Sequence, residues 1–390
     1  MQTMEKLDSS ARSEPMRAKT FLKGRLTSLD VFRGIAIALM ILVNSPGGDA
    51  YYDFLQHAGW NGCTLADLVF SLFIFIVGAS IPFAFTSRLD QGMSRRTLLI
   101  RIARRTIILF VLGIFVSGFP FGFDPATFRI MGVLQRIALC YLFASLVFLF
   151  LKPKWQILLT LAIPIVYWML MSLVPVPGYG PGVLTENGNL AGYIDRLLLG
   201  KHLYSFTGTY DPEGLLSTLP AVATALIGVF TGYTLKSNAK PTVKTVKLLL
   251  CGSISLATGL VWNLWFPINK DLWTSSYVAF TGGIALILLA TFYFIIDAKN
   301  HIAWTKPFSI LGLNAIFVYL LSEIVNLILI YTSIPISGTA NVSLKTLIYE
   351  NLFASWAGPL HGSFIYAFAF LAFCWAAATI LHWKKIFIKV

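Results

Sequence analysis

The sequence predicts an all-α, polytopic integral membrane protein: a helical bundle of about ten transmembrane helices with the N and C termini cytoplasmic. Three observations carry this. Hydrophobic residues make up 57% of the chain and charged residues only 12%, with mean hydropathy +0.75, whereas a soluble chain is roughly 25% charged. The apolar residues gather into ten runs, most near the roughly 20 residues that cross a hydrocarbon core. Lys and Arg concentrate in alternate connections between those runs, as the positive-inside rule requires.

Taken in order, residues 1–28 are polar and basic, with Lys6, Arg12, Arg17, Lys19, Lys23 and Arg25, and read as a disordered cytoplasmic tail. Residues 29–390 form the transmembrane domain. Its runs lie near 29–45, 66–86, 102–118, 130–151, 155–174, 214–235, 246–266, 275–296, 307–331 and 362–383. The first run also has the shape of a signal peptide, a basic stretch followed by a short apolar core. Arg88, Arg95, Arg96 and Arg101 follow the second run, Lys152 and Lys154 the fourth, and Lys236, Lys240, Lys244 and Lys247 the sixth. Lys299 and Lys306 follow the eighth, and Lys384, Lys385 and Lys389 the last. All fall on the side of the tail. Residues 45–65 have no Lys or Arg, and 175–213 set Arg196 and Lys201 against Glu186, Asp195, Asp211 and Glu213. Residues 344–356 are of mixed polarity and fit an interfacial helix or a re-entrant turn.

An excess of 30 Lys+Arg over 17 Asp+Glu would suit a nucleic-acid partner, but its distribution is that of membrane topology, so no nucleic acid is expected. Cys63, Cys140, Cys251 and Cys374 are scattered without a metal spacing, and no metal is expected. Membrane lipid is the obligatory surrounding, and the reading leaves room for a homodimer.

Polar groups in or at the ends of spans are Arg33, Asn44, Asp67, Arg136, Asn263, Asn314 and Glu323. A charge at the bilayer centre costs about 2.5–3.5 kcal/mol on insertion scales, so such groups pair or line a polar cavity. Bland accounts exist for four of them. Arg33 lies one turn inside the cytoplasmic face and can snorkel; Arg136 and Glu323 can form a structural ion pair; Asn314 can bond a neighbouring helix for about 0.6 kcal/mol. The outer half still collects Asn44, His57, Asp67, Asp211, Glu213, Asn263, Asn269, Glu323 and His361, which suggests a polar chamber open to the outside.

His57 is the leading candidate for chemistry, because imidazole exchanges protons near neutral pH. It precedes a turn-like WNG and then TLADLVF, where Thr64 can cap a helix whose first turn holds Asp67. The free N–H groups of that helix start suit an anion or a developing oxyanion.

Several ordered blocks, RLTSLDVFRGIAIALMILVN (25–44), HAGWNGCTLADLVFSLFIFIVGASI (57–81), RIMGVLQRIALCY (129–141), DPEGLLSTLPAVATALIGVFTG (211–232), LWTSSYVAFTGGIAL (272–286) and LGLNAIFVYLLSE (311–323), resemble the heparan-α-glucosaminide N-acetyltransferase family and its bacterial relatives. Because the first block belongs to the family pattern, the resemblance implies that the first span is retained. Lysosomal members carry an additional N-terminal luminal segment and one more span; without them, the resemblance implies a bacterial-type core in the inner (plasma) membrane. It further implies an acetyl-CoA-dependent N-acetyltransferase that passes an acetyl group from cytoplasmic acetyl-CoA to the amine of a glucosamine-type acceptor on the other side.

In that reading His57 is the active-site residue, Asn44 lies close to it and can donate to the oxyanion, and Asp67 can orient the imidazole. Arg33, Arg104, Arg105 and Arg136 are the candidates for CoA, with topology charge as the bland alternative for the first three and the ion pair with Glu323 for Arg136. Asp211, Glu213, Asn263 and Glu323 are the candidates for the sugar. His57 either takes the amine proton directly or carries the acetyl group in ping-pong fashion. The rival class is an amino-sugar or oligosaccharide permease with a midplane site and no acyl transfer.

Overall fold

The computed structural model describes residues 26–120, 124–335 and 341–388; the basic tail, apart from its last three residues, lies outside the described residues. Every apolar run becomes helix: α1 Thr27–Asn44, α2 Leu65–Asp90, α3 Arg95–Gly118, α4 Val133–Phe150, α5 Pro153–Leu173, a short α6 Leu190–Leu199, α7 Thr218–Lys236, α8 Pro241–Trp262, α9 Ser275–Phe292 with a π-helical turn Tyr293–Ala298, α10 Lys306–Leu313, α11 Ala315–Tyr331, a short α12 Leu344–Tyr349 and α13 Ser355–Trp383. Among the described residues strands are confined to Ser333–Ile334 and Val342–Ser343, paired antiparallel. The protein is an all-α polytopic membrane protein.

Among the described residues eight helices are long and apolar enough to cross a membrane, or nine if α10 and α11, bent by 80°, count as one span. The remaining run of the ten, α3, carries Arg101, Arg104 and Arg105 within its last eighteen residues, more charge than a simple lipid-facing span holds. The α1 helix begins at Thr27, before its apolar run, because the Asp297 carboxylate accepts the Thr27 and Ser28 N–H groups at 3.1 Å each. A remote side chain thus satisfies donors that a helix start leaves free.

The α2 and α7 helices form the centre, each with 72% of its span buried, against 22% for α8. They touch backbone to backbone. A Cβ on Gly78 would meet the Ala225 carbonyl oxygen at 1.8 Å, and one on Gly228 the Phe75 oxygen at 2.1 Å. Close approach at small residues is how helices associate where lipid supplies no hydrophobic drive between them. The α1–α10 pair repeats the device with Gly34 against Phe308 and Gly312 against Asp30.

This packing sorts the connections into two ends. At one, His57 meets Lys270, Arg129 meets Asp211, and Tyr52 meets His361. At the other, Thr27 meets Asp297, Arg33 meets Gly312, and Asn314 meets Ile386. The alternation matches the charge pattern of the sequence. In the 344–356 stretch, the turn after α12 folds back on α13, with Ala354 against Gly362 across a break at Gly358 (φ 75°). Tyr349 packs there against Gly47 and Gly48.

Candidate active site

The helix start expected at α2 is the scaffold of the site. Asp67, at the third helical position, accepts the backbone N–H of Thr64 at 3.0 Å and of Ala58 at 3.0 Å. Its other oxygen lies 2.7 Å from His57 Nδ1. The Thr64 hydroxyl donates to the Gln56 carbonyl at 2.6 Å, and Tyr277 clamps the Asp67 carbonyl at 2.6 Å. One buried carboxylate therefore shapes the 56–64 loop and orients the imidazole. An ionised carboxylate only accepts, so Nδ1 carries the proton. Among the described residues Nε2 has no partner, which leaves its lone pair for a ligand.

A second loop, 263–274, is bolted to the first. Gly62 N–H donates to the Ile268 carbonyl at 2.7 Å. The Asn269 amide donates to the Trp60 carbonyl at 2.9 Å and accepts the Leu272 N–H at 2.8 Å. This places Lys270 Nζ 3.3 Å from His57 Nδ1 and 3.8 Å from the Asp67 carboxylate. The sequence reading did not single out Lys270; its signal was a lone cation in a connection on the side poor in Lys and Arg. Asn263, expected at the sugar, is exposed and instead caps this turn by accepting the Ile268 N–H at 2.7 Å.

The third wall is the 211–217 loop ahead of α7. Arg129, also missed from sequence, holds Asp211 through two nitrogens, at 2.9 and 2.6 Å, and bridges to Glu213. Its guanidinium lies 4.2 Å from the Tyr204 ring centre. Asp211 is thus a structural anchor, while Glu213 reaches the site. Burial would raise the Glu213 carboxyl, but Arg129 and Arg136 outweigh it and hold it below its ordinary range. Asp195 in α6 accepts the Leu215 N–H at 2.8 Å, and burial pushes it up to about 6. Arg136 is fully buried at this same end of the bundle, bonded to the Gly214 carbonyl at 3.2 Å and to Ser217, and stacked on Trp273 at 5.0 Å. The expected ion pair with Glu323 does not form, and among the described residues the Arg136 Nε and Nη1 are buried without a hydrogen-bond partner; Glu323 has Asn44 as its neighbour instead.

These walls meet at a cavity of about 70 Å³ lined by Asn44, His57, Glu213, Lys270 and the apolar Met40, Val43, Ala66, Val69, Phe70 and Val133. By this measure a single water needs roughly 10–15 Å³, so the space holds several waters. A smaller apolar cavity of about 10 Å³ lies against it, sharing Met40 and Val133 and continuing to Leu109, Ile137, Ile316 and Tyr319. Leu109 is one turn beyond Arg105 on α3. Arg105 stacks on Tyr141 at 4.4 Å, and Arg104 is exposed. Arg33 lies at the opposite end from His57, bonded to Ser80 at 2.7 Å.

The chemistry this arrangement supports is general-base or nucleophilic work at His57 Nε2, oriented by Asp67. Cys63, the nearest thiol in sequence, is pushed up to about 12 by burial and by Asp67, which removes it as a nucleophile.

Comparison with known proteins agrees with the resemblance seen in the sequence blocks. The family model described as heparan-α-glucosaminide N-acetyltransferase, catalytic, matches residues 25–260. The human heparan-α-glucosaminide N-acetyltransferase is 37% identical over 380 residues, and the mouse protein 35%, each match covering 82% of this chain. The chain spans 57% of the length of these relatives.

Proposed function

The chain belongs to the heparan-α-glucosaminide N-acetyltransferase family, and on that premise we propose that it passes an acetyl group from cytoplasmic acetyl-CoA to the amine of a glucosamine-type sugar on the outer side of the membrane. The observation that carries the reading is the His57–Asp67 pair: an imidazole fixed through Nδ1 at a capped helix start, its Nε2 unpartnered beside a polar cavity.

The end of the bundle rich in Lys and Arg, opposite His57, is the cytoplasmic one by the positive-inside rule. On the resemblance to bacterial-type members, the membrane is the plasma membrane. Acetyl-CoA enters from that side, with Arg104, Arg105 and Arg33 as the candidates for its phosphates. The thioester arm reaches His57 along the seam marked by Leu109 and Met40, which must widen on binding because the void there, about 10 Å³, holds at most one water. Arg136 lies off that course and acts by supporting the loop of Glu213.

At the site a thioester is already activated, so three tasks remain: to hold the amine, to take its proton and to stabilise the oxyanion. Glu213, ionised and lining the cavity, accepts an N–H of the acceptor amine, which reacts in its neutral form. His57 Nε2 takes the proton as the amine attacks, with Asp67 stabilising the imidazolium. Asn44, with Glu323 behind it, donates toward the carbonyl oxygen. The direct route needs only this one geometry.

The break between α10 and α11 is the feature a permease would use. There the Asn314 amide is occupied by the chain itself, donating to the Ile386 carbonyl and accepting the Ile388 N–H, which speaks for the enzyme. The test is reconstitution into sealed vesicles with acetyl-labelled CoA at the basic face and glucosamine at the other. Labelled N-acetylglucosamine on the acceptor side is expected. Passage of unmodified sugar with no label would replace the enzyme by the permease.

A further inference from the structure

We propose that Lys270 is a catalytic residue of this site: its ammonium donates to the thioester carbonyl oxygen and holds the oxyanion of the tetrahedral intermediate. The inference rests on the acetyl-transfer reading above and adds a group that neither the sequence motifs nor the His57–Asp67 pair contains.

Four observations converge. Lys270 lines the cavity together with Asn44, His57 and Glu213. It is delivered there by a loop with little freedom, since the neighbouring Asn269 bonds Trp60 and Leu272 and the Gly62–Ile268 bond ties that loop to the one bearing His57. Only 18% of its side chain is exposed, so its charge has been brought in from water. Its donors are also unspent. Asp67 takes the Nδ1 proton at 2.7 Å, so Nδ1 has no lone pair to offer, and the 3.3 Å approach of Nζ is a contact between two donors. The Asp67 carboxylate, at 3.8 Å, is beyond hydrogen-bond length. An ammonium with three N–H groups and no acceptor at bonding distance among the described residues, beside a general base, is placed for a substrate oxygen.

The alternative use of a cation here is as a counter-charge. The carboxylates near Lys270 are Glu213, which lines the cavity with it, Asp67 and the adjacent Asp271. Glu213 already has Arg129, Asp67 has two backbone N–H groups and the imidazole, and Asp271 accepts the Tyr210 hydroxyl at 3.0 Å. Each has hydrogen-bonding partners of its own, so Lys270, an ion-pair neighbour of Asp67 at 3.8 Å, keeps its N–H groups for a ligand.

In the step, the neutral amine nitrogen forms a bond to the acetyl carbon and the C=O π pair moves onto oxygen, where Lys270 meets it. His57 Nε2 takes the proton from the nitrogen. The oxygen pair then re-forms C=O, the C–S bond breaks with its pair on sulfur, and the imidazolium returns the proton to the leaving thiolate. Amide and CoA thiol are the products, and Lys270 ends as it began.

The test uses the purified full chain in lipid nanodiscs with acetyl-CoA and glucosamine. Lys270→Met is expected to lower kcat by about 10²–10³-fold, the loss typical of one oxyanion donor, with acetyl-CoA affinity and Tm close to the parent. Lys270→Arg restores part of the rate. Lys270→Cys treated with 2-bromoethylamine, which rebuilds an ammonium of nearly the same reach, recovers most of it; Cys251 is exposed and is changed to Ser, with the identically treated parent as control. A Lys270→Met enzyme within threefold of the parent overturns the inference. So does a Lys270→Cys protein whose rate is not raised by the reagent. A parent that transfers no acetyl group overturns the functional reading and this inference with it, whereas an active parent with an active Lys270→Met removes the inference alone.

Discussion

At the end of the bundle opposite His57, Asn314 bonds Ile386 and Ile388, Asp297 takes two N–H groups of α1, and Arg33 reaches Ser80 and the Gly312 carbonyl. At the His57 end, Asp67, Asp211 and Asn269 are as fully engaged, yet His57 Nε2 and the Lys270 ammonium face a cavity with bonding capacity left over. Buried polar groups that complete one another's hydrogen bonds hold elements together, because leaving any one unmade costs about 1–3 kcal/mol. Groups left incomplete at the wall of a cavity have something else to bind. His57 and Lys270 are set apart from the clamping Asn and Asp side chains by the bonding capacity they keep at the cavity wall, which residue type does not reveal.

The sharpest way to break that comparison is His57→Ala. Acetyl transfer is expected to fall by about 10²–10⁴-fold, the usual contribution of a general base, with Tm and acetyl-CoA affinity preserved, since the imidazole is 47% exposed and bonded only to Asp67 among loop-shaping groups. A matched loss of Tm would move His57 into the clamp class. Asp67→Asn should reduce turnover and Tm together, because that carboxylate serves both imidazole and loop.

Arg129→Met comes next. It leaves Asp211 and Glu213 without their guanidinium, and breaking a buried pair costs roughly 3–5 kcal/mol. The expected result is a large drop in Tm measured in detergent, with activity lost as the Glu213 loop loosens; an unchanged Tm would mean that the acidic loop is held by Asp195 and Arg136 alone.

Asp195 supplies the pH dependence. Its folded-state value of about 6 lies above the ordinary carboxylate value of about 3.9, so the folded protein holds the proton where the unfolded chain has released it. This contribution to stability is fully present below about pH 4, declines as pH rises through 6 and is flat above. At about 1.4 kcal/mol per unit the decline amounts to roughly 3 kcal/mol. In Tm scans between pH 4 and 8, Asp195→Asn should show a smaller fall than the parent, and parallel curves would place the titration elsewhere.

The smallest effect sharpens the comparison from the other side. Asn314→Ala should cost about 1–3 kcal/mol and free the segment around Ile386 to hydrogen exchange, while turnover per folded molecule stays near that of the parent. A selective loss of kcat would show that the clamp end also takes part in the reaction.

Hydropathy and charge in the sequence alone determined the ten helical runs, the sorting of connections into two ends, and the helix start at Thr64 with Asp67 in its first turn. Those features depend on neighbours within a few residues, through the length of an apolar run or the donors a helix leaves open. Tertiary structure alone decided that Lys270 would stand beside an imidazole 213 positions away, that Arg129 would claim Asp211, that Arg136 would lie under the Gly214–Ser217 turn rather than against Glu323, and that Asn263 would close a turn outside the cavity. Each of those outcomes depends on which helices pack backbone to backbone, as α2 does on α7 through Gly78 and Gly228. A glycine's place in one chain segment does not say which distant carbonyl it will meet, so the partners of a long side chain become defined only when the helices have packed.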